Sequence, residues 1–123
     1  MKKSAVVVLL VVVAATVLPV VTVAVATRPS QYTYQEDVTT SFVKTLGTFS
    51  VTVYKLAHGL NMYYESTSQC WSSVPASGPE GYKCYWMVLT AKNAAGAVGS
   101  YVSTSCGIPG SQTWKLLSFN STD

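Results

Sequence analysis

The chain opens with an apolar segment that limits how much sequence is left to fold into a domain. Lys2-Lys3 precedes an almost unbroken apolar run from Ala5 to Ala26, which closes on Ala24-Val25-Ala26. A basic start, an apolar middle and small residues at the end are typical of a secretory signal peptide, so we expect cleavage after Ala26. A signal peptide over residues 1–26 leaves residues 27–123, which are 97 of the 123 residues, as a single small domain.

The same run is also long enough to be a membrane anchor. Its 22 residues, at 1.5 Å per residue, cover a bilayer core of about 30 Å. Pro19 interrupts the run and no charged residue follows it before Arg28, which favours cleavage over retention. After cleavage the protein is expected to be secreted and extracellular, with no stable membrane association.

The charge left after cleavage is close to neutral. Residues 27–123 hold six basic and five acidic residues, a balance of +1, whereas the whole chain carries +3. The basic residues are scattered singly along the sequence. The sequence therefore predicts no nucleic-acid partner and no polybasic membrane-binding patch.

Three cysteines lie in the predicted mature chain: Cys70, Cys84 and Cys106. In an oxidising compartment two of them should form a disulfide, which stabilises a small domain by about 2–4 kcal/mol. We expect Cys70 to pair with Cys106, because that bond closes the longest loop and restricts the unfolded chain most. One thiol is then left over, and it would allow a dimer between two chains.

Hydrophobic periodicity predicts a mostly β fold, with one short helix followed by about five antiparallel strands. Apolar residues recur at helical spacing over residues 35–47, with Glu36-Asp37 at the helix start and Gly47 at its end. The predicted strands are residues 48–56, 62–65, 82–91, 97–104 and 112–119, and a Pro/Gly-rich loop covers residues 71–81.

Few residue patterns in the chain suit catalysis or metal binding. His58 is the single histidine and it lies in a predicted turn. The pattern around it offers no acidic residue to orient the ring and no nucleophile for it to activate, as a Ser-His-Asp or Cys-His arrangement would require. The cysteines lack the close spacing of a zinc site, which favours disulfide chemistry. The sequence therefore predicts neither an enzyme nor a bound metal or cofactor. Asn120-Ser121-Thr122 is an N-glycosylation sequon, as expected of a secreted product.

The order and spacing of the predicted elements resemble those of a known family. The order is a helix from Glu36-Asp37 to Leu46, a strand over residues 49–56, a Tyr-rich strand at Met62–Glu65, a cysteine at Cys70 and a strand over residues 82–90. This order resembles the first half of tick salivary lipocalins, the histamine-binding-protein family. The resemblance covers residues 35–104. It implies an antiparallel barrel with an N-terminal helix, which sequesters a small host mediator such as the biogenic amine histamine, or a lipid.

Chain length limits what this resemblance allows. An eight-stranded barrel with strands of about ten residues needs well over the 97 residues that follow the predicted leader. We therefore expect a truncated or short form whose barrel is incomplete. Open strand edges favour a second interpretation, a small secreted β module that binds a protein partner, or a second copy, through an open edge.

The lipocalin resemblance also implies a set of ligand-binding residues. A bound amine needs a carboxylate among aromatic rings, because low dielectric strengthens the ion pair and the rings add cation–π attraction. Glu65 is expected to supply the carboxylate, with Tyr64, Trp71 and Trp86 around it. The alternatives are that Glu65 simply faces solvent and that the aromatic residues are ordinary strand residues.

Overall fold

In a computed structural model that describes residues 26–122, one helix packs against one five-stranded antiparallel sheet. The elements follow in the order β1 (Tyr34–Gln35), α1 (Ser41–His58), β2 (Met62–Ser73), β3 (Lys83–Asn93), β4 (Val98–Gly107) and β5 (Lys115–Ser121). The strands lie side by side in this same order. The fold is therefore mostly β, as predicted, and the sheet is not closed into a barrel.

The predicted signal peptide lies outside the described residues, apart from Ala26. Among residues 26–122, no helix is long and apolar enough to cross a membrane. The proposed cleavage after Ala26 stays a prediction.

The helix starts later and runs further than the sequence predicted. α1 continues to His58, so the predicted strand over residues 48–56 is wrong. The buried side of the helix keeps helical spacing throughout: Val43, Leu46, Gly47, Ser50 and Val51. Burial of this stripe against the sheet outweighs the β propensity of the β-branched residues within it.

The two ends of α1 are capped by residues other than those predicted. Thr40 is the N-cap, and its Oγ1 accepts a hydrogen bond of 3.2 Å from the amide of Val43. Gly59 ends the helix in the left-handed conformation, with φ of 62°. Its backbone N–H donates a hydrogen bond to the carbonyl of Lys55. The prediction that Gly47 ends the helix is therefore wrong.

Glu36 and Asp37 lie before α1 rather than in its first turn. Asp37 Oδ1 accepts hydrogen bonds from the Thr39 amide at 2.9 Å and the Thr39 hydroxyl at 2.6 Å. These bonds, of which the hydroxyl has the larger effect, lower the pKa of the Asp37 carboxyl. The predicted helix-start role of Glu36-Asp37 is wrong, because both residues are used in the connection between β1 and α1.

One face of the sheet, here called the helix face, packs against α1. Alternation along β3 directs Tyr85, Met87 and Leu89 to this face, and all three are buried. Gly47 lies where the helix approaches β2, since a Cβ at that position would stand 2.8 Å from Cζ of Tyr64. The absence of a side chain at Gly47 thus sets how closely helix and sheet approach.

A small polar cluster joins α1 to β4 inside this core. Ser50 is fully buried, and its hydroxyl lies 3.0 Å from the Leu46 carbonyl and 3.2 Å from the hydroxyl of Ser105. Ser103 Oγ donates to Ser50 Oγ at 3.4 Å. Because each buried hydroxyl has a partner, the cluster avoids the cost of unsatisfied polar groups.

The opposite face of the sheet, here called the outer face, is partly covered by residues 26–33, the N-terminal arm. Tyr32 is 7% exposed and packs beside Trp86 and the disulfide. The Arg28 guanidinium lies 3.5 Å from the centroid of the Trp71 ring, within the range of a cation–π contact. The arm therefore forms part of the folded domain.

The disulfide joins Cys84 to Cys106, so the predicted Cys70–Cys106 pairing is wrong. Cys84 and Cys106 are directly opposite each other in the register of β3 and β4, with their Cα atoms 4.0 Å apart. Cys70 is a free, fully buried thiol on the helix face of β2. Sheet register, which brings the other two cysteines together, decides the pairing rather than loop length.

Candidate functional site

The carboxylate predicted to bind an amine lies on an exposed part of β2. Glu65 Oε2 is 3.5 Å from Lys92 Nζ, and Glu65 Oε1 accepts a 3.3 Å hydrogen bond from Thr90. Glu65 itself falls in an irregularity of the pairing between β2 and β3, which skips from Tyr64 to Ser66. Glu65 is thus an exposed residue with partners on β3, as its alternative interpretation described.

The three aromatic residues predicted to surround the ligand divide between the two faces of the sheet. Tyr64 packs against the helix-face core, and its hydroxyl lies 2.7 Å from Thr67 Oγ1. Trp71 and Trp86 are cross-strand neighbours on the outer face. The structure therefore brings the two tryptophans together, but it gathers neither Tyr64 nor Glu65 with them.

A different carboxylate lies in a cleft beside β1. Glu36, Tyr34, Ser72, Val74 and Lys83 are among the residues that line this opening of about 420 Å³, called the Glu36 cleft here. The Glu36 side chain is only 18% exposed, and its Oε2 accepts a 2.7 Å hydrogen bond from the buried hydroxyl of Ser72. Such a bond orients the carboxylate within the cleft.

The ammonium group of Lys83 faces this carboxylate. Lys83 Nζ is 3.8 Å from Glu36 Oε2, longer than the roughly 2.7–2.9 Å of a close charged hydrogen bond. It is also 5.9 Å from the centroid of the Tyr34 ring and 5.5 Å from that of Tyr85, near the outer limit of cation–π contact. The cleft thus holds an ammonium group, but at long distances from each of its partners.

Burial and the Glu36 charge also affect two groups beneath the cleft. Burial raises the pKa of the Cys70 thiol to about 12, with a further contribution from Glu36 that Lys83 partly offsets. Burial likewise raises the pKa of Tyr85 to about 12, again helped by Glu36. Both groups are neutral at physiological pH, so the thiol is a poor nucleophile.

Three chain segments meet at the end of the sheet that contains this cleft. They are residues 33–36, the β2–β3 loop (residues 74–82) and the β4–β5 loop (residues 108–114). We call these three segments together the loop end. A Cβ placed on Gly81 would lie 3.6 Å from Cγ2 of Ile108, so the two loops are neighbours. The Cys84–Cys106 disulfide lies directly beneath them.

Internal hydrogen bonds hold both loops of the loop end. In the first, the Tyr82 amide donates to the Pro79 carbonyl at 3.1 Å. In the second, the amide and hydroxyl of Ser111 both donate to the Ile108 carbonyl, at 3.0 and 2.7 Å. Val74 and Tyr34 nevertheless remain 74% and 65% exposed. Loops that are already ordered lose little backbone entropy when their side chains bind a partner.

Two further predicted residues lie away from the loop end. His58 is the last residue of α1, where its ring lies 4.3 Å from that of Tyr54. Asn120 is exposed on β5, opposite Val102, which packs on the outer face.

Within the described part of the chain, no group of three or more His, Cys, Asp or Glu side chains could hold a metal ion.

Sequence reasoning missed the residues of the loop end, although one pattern pointed to part of it. Aromatic and polar residues alternate over residues 31–35, a period-2 signal that could have predicted strand β1. The proximity of Tyr34, Ser72 and Lys83 could not be predicted in this way, because these residues are far apart in sequence and meet through sheet pairing.

Comparison with known proteins adds no family to this picture. No family model and no curated protein matches the chain. The resemblance to tick salivary lipocalins stays a prediction.

Proposed function

We propose that the chain is a secreted protein that binds a partner protein through its loop end. The observation that carries this proposal is the exposure of Val74 and Tyr34 on segments that are internally hydrogen-bonded or paired to β2. Binding residues are concentrated on loops that a rigid scaffold positions. The Cys84–Cys106 disulfide supplies such a scaffold and is compatible with an oxidising compartment.

Contact at the loop end would combine apolar and polar recognition. Val74 is 74% exposed. Full burial of a valine side chain contributes about 1.5–3 kcal/mol, which corresponds to roughly a tenfold or greater change in affinity. The adjacent Glu36 and Lys83 offer one charge of each sign to a partner. Aromatic and charged groups around an apolar contact are typical of protein interfaces.

A photo-crosslinking experiment tests this function with a matched control. A photoreactive residue replaces Val74 in one secreted protein and Val98 in another, because Val98 is also exposed (54%) but starts β4 at the opposite end of the sheet. Incubation with extracellular fluid from the source should give a discrete protein adduct at position 74 only. Equal adducts at both positions, or none at 74, would contradict the proposal.

The crosslinked partner can then be measured directly. Val74→Asp should weaken its binding at least tenfold in calorimetry, because the substitution places a charge in the apolar contact. Val98→Asp should bind like the wild type. An unchanged affinity for Val74→Asp would remove the loop end from the interface.

The lysine held in the Glu36 cleft favours a second candidate function, the sequestering of a small amine. A free ammonium group could displace Lys83 and approach Glu36 and the two tyrosine rings more closely than Lys83 does. This proposal keeps the amine predicted from the family resemblance but moves its carboxylate from Glu65 to Glu36. A lipid is less favoured, because the cleft holds the Glu36 carboxylate and the Lys83 ammonium.

Calorimetry with histamine would test the amine site. Lys83→Met should strengthen binding because the built-in ammonium is gone, whereas Glu36→Gln should abolish it because the ligand loses its counter-charge. Glu65→Gln serves as the control and should not change binding. Loss of binding in Glu65→Gln, or equal binding in wild type and Glu36→Gln, would exclude the Glu36 cleft.

A further inference from the structure

One row of residues on the outer face of the sheet is only partly covered. Strand pairing places four residues side by side across β2 to β5, here called the valine row: Gln69, Val88, Val102 and Asn120. Val88 and Val102 pack beside the cluster around the disulfide, yet both are only half-buried. The sheet therefore presents two adjacent valines to its surroundings, between a polar residue at each end.

The residue at the β5 end of the valine row is the first residue of the sequon Asn120-Ser121-Thr122. Asn120 is exposed, and Val102 is its direct partner on β4. Directly opposed side chains have Cβ atoms about 4.5–5.5 Å apart, so a group attached to Asn120 begins beside Val102. Val88 is one strand further, about 10 Å from β5. A chain of two sugar rings spans that distance.

The side chains around the row suit a carbohydrate. The residues two positions away along the chain from Val102 and Asn120 all carry hydroxyl groups: Ser100, Thr104, Ser118 and Thr122. Because residues two apart on a strand share a face, these hydroxyl groups surround the valines. A sugar ring has C–H groups on its faces and hydroxyl groups at its edge, so it can cover the valines and bond to this border. None of the four residues supplies a charge for an ionic partner.

We propose that an N-linked glycan on Asn120 lies over Val102 and Val88 and covers this part of the outer face. On attachment, the amide nitrogen of Asn120 loses a proton and bonds to C1 of the first sugar. The bond from C1 to a lipid diphosphate donor breaks, and the lipid diphosphate leaves. This transfer takes place in the secretory pathway, so the proposal rests on the secretion that is part of the proposed function, but it uses no residue of the loop end.

The full chain, secreted from a eukaryotic host cell, tests the proposal. Mass spectrometry should show a glycan that peptide N-glycosidase removes from the wild type, and no glycan on Asn120→Gln. NMR of the glycosylated wild type should show nuclear Overhauser contacts between the first two sugars and the methyl groups of Val102 and Val88. An unmodified Asn120 in the secreted chain, or a glycan without these contacts, would overturn the proposal.

Thermal unfolding gives a second readout. The glycosylated wild type should unfold about 4 °C or more above Asn120→Gln, because the sugars cover apolar side chains. In a Val88→Ser/Val102→Ser background this difference should fall to less than half. Val98→Ser alters an exposed valine at the start of β4 and should keep the full difference. A difference that is the same in the Val88→Ser/Val102→Ser background would overturn the proposal.

A relocated glycan is the matched control. Asn120→Gln/Tyr63→Thr moves the sequon to Asn61, an exposed residue just before β2. The relocated glycan should give neither the valine contacts nor the rise in unfolding temperature, and equal stabilisation by both glycans would overturn the proposal. Crosslinking from position 74 should be the same in Asn120→Gln and wild type, so failure of the glycan contact is distinguishable from failure of partner binding at the loop end.

Discussion

At the scale of single residues, the contact between helix and sheet depends on the missing side chain at Gly47. Glycine normally weakens a helix by about 1 kcal/mol relative to alanine, so its presence inside α1 needs a packing reason. The Tyr64 ring supplies that reason, because it occupies the space a Cβ would need. Its hydroxyl is hydrogen-bonded to Thr67, which hinders the ring from moving aside.

Gly47→Ala is therefore expected to destabilise the protein by up to about 2 kcal/mol. This is an overpacking cost of about 1–3 kcal/mol from which a gain in helix propensity of about 1 kcal/mol is subtracted. Urea unfolding would measure the change. In a Tyr64→Ala background the same substitution should be neutral or stabilising, because the obstructing ring is absent. A stabilised Gly47→Ala single variant would contradict the close approach of helix and sheet.

The buried thiol and phenol on the helix face predict a loss of stability in alkali. Cys70 and Tyr85 have pKa values raised from 9.0 and 10.0 to about 12, so the folded state retains protons that the unfolded state releases. Their contribution is complete below about pH 9 and is lost as pH rises toward 12. Each group adds a slope of at most about 1.4 kcal/mol per pH unit within its window.

Urea unfolding between pH 8 and pH 11 would measure this slope. Cys70→Ala should show a shallower fall in unfolding free energy with pH than the wild type, whatever its stability at pH 8. Equal slopes in the two proteins would show that the thiol does not stay protonated on folding.

At the scale of elements, α1 shows that one segment can fit both a strand pattern and a helix pattern. Residues 48–56 alternate in a way typical of a strand, yet they also continue the helical stripe that starts at Val43. Thr40 and Gly59 supply the start and stop signals, and each satisfies backbone groups that the helix leaves unpaired. Capping at both ends and burial of the stripe from Val43 to Val51 therefore decide in favour of the helix.

Thr40→Ala should lower the unfolding free energy by about 1 kcal/mol, because the amide of Val43 loses its capping partner. Thr40→Ser retains the hydroxyl and should stay close to the wild type. Chemical denaturation followed by circular dichroism at the helix signal provides the measurement. A Thr40→Ala variant as stable as Thr40→Ser would argue against this cap.

At the scale of the whole molecule, the disulfide supports a core that is small for an independent domain. It joins residues 22 positions apart, for which chain-entropy estimates give about 3 kcal/mol. The Cys84→Ser/Cys106→Ser double variant should lose stability of this order in urea unfolding. Peptide mapping of the unreduced wild type should recover the Cys84–Cys106 pair, and recovery of a Cys70–Cys106 pair would contradict the structure.

The arrangement of the candidate site followed from the sequence only in part. Strands β3, β4 and β5 were predictable because period-2 patterns and Gly-containing turns are local signals. The cysteine pairing and the partner of Glu36 were not, since both depend on which residues of separate strands lie opposite each other. A one-residue change in register would move every side chain to the other face of the sheet.

The sequence by itself determined a mostly β domain with one helix and three cysteines for one disulfide, whereas the leader over residues 1–26 stays a prediction. These follow from composition, periodicity and turn residues, which act over short stretches of chain. Only the tertiary structure decided that residues 48–56 are helical, that Cys84 pairs with Cys106, and that Glu36 lies in a cleft beside Lys83. The physical reason is that burial and strand register are set by contacts between distant segments, which a local pattern does not contain.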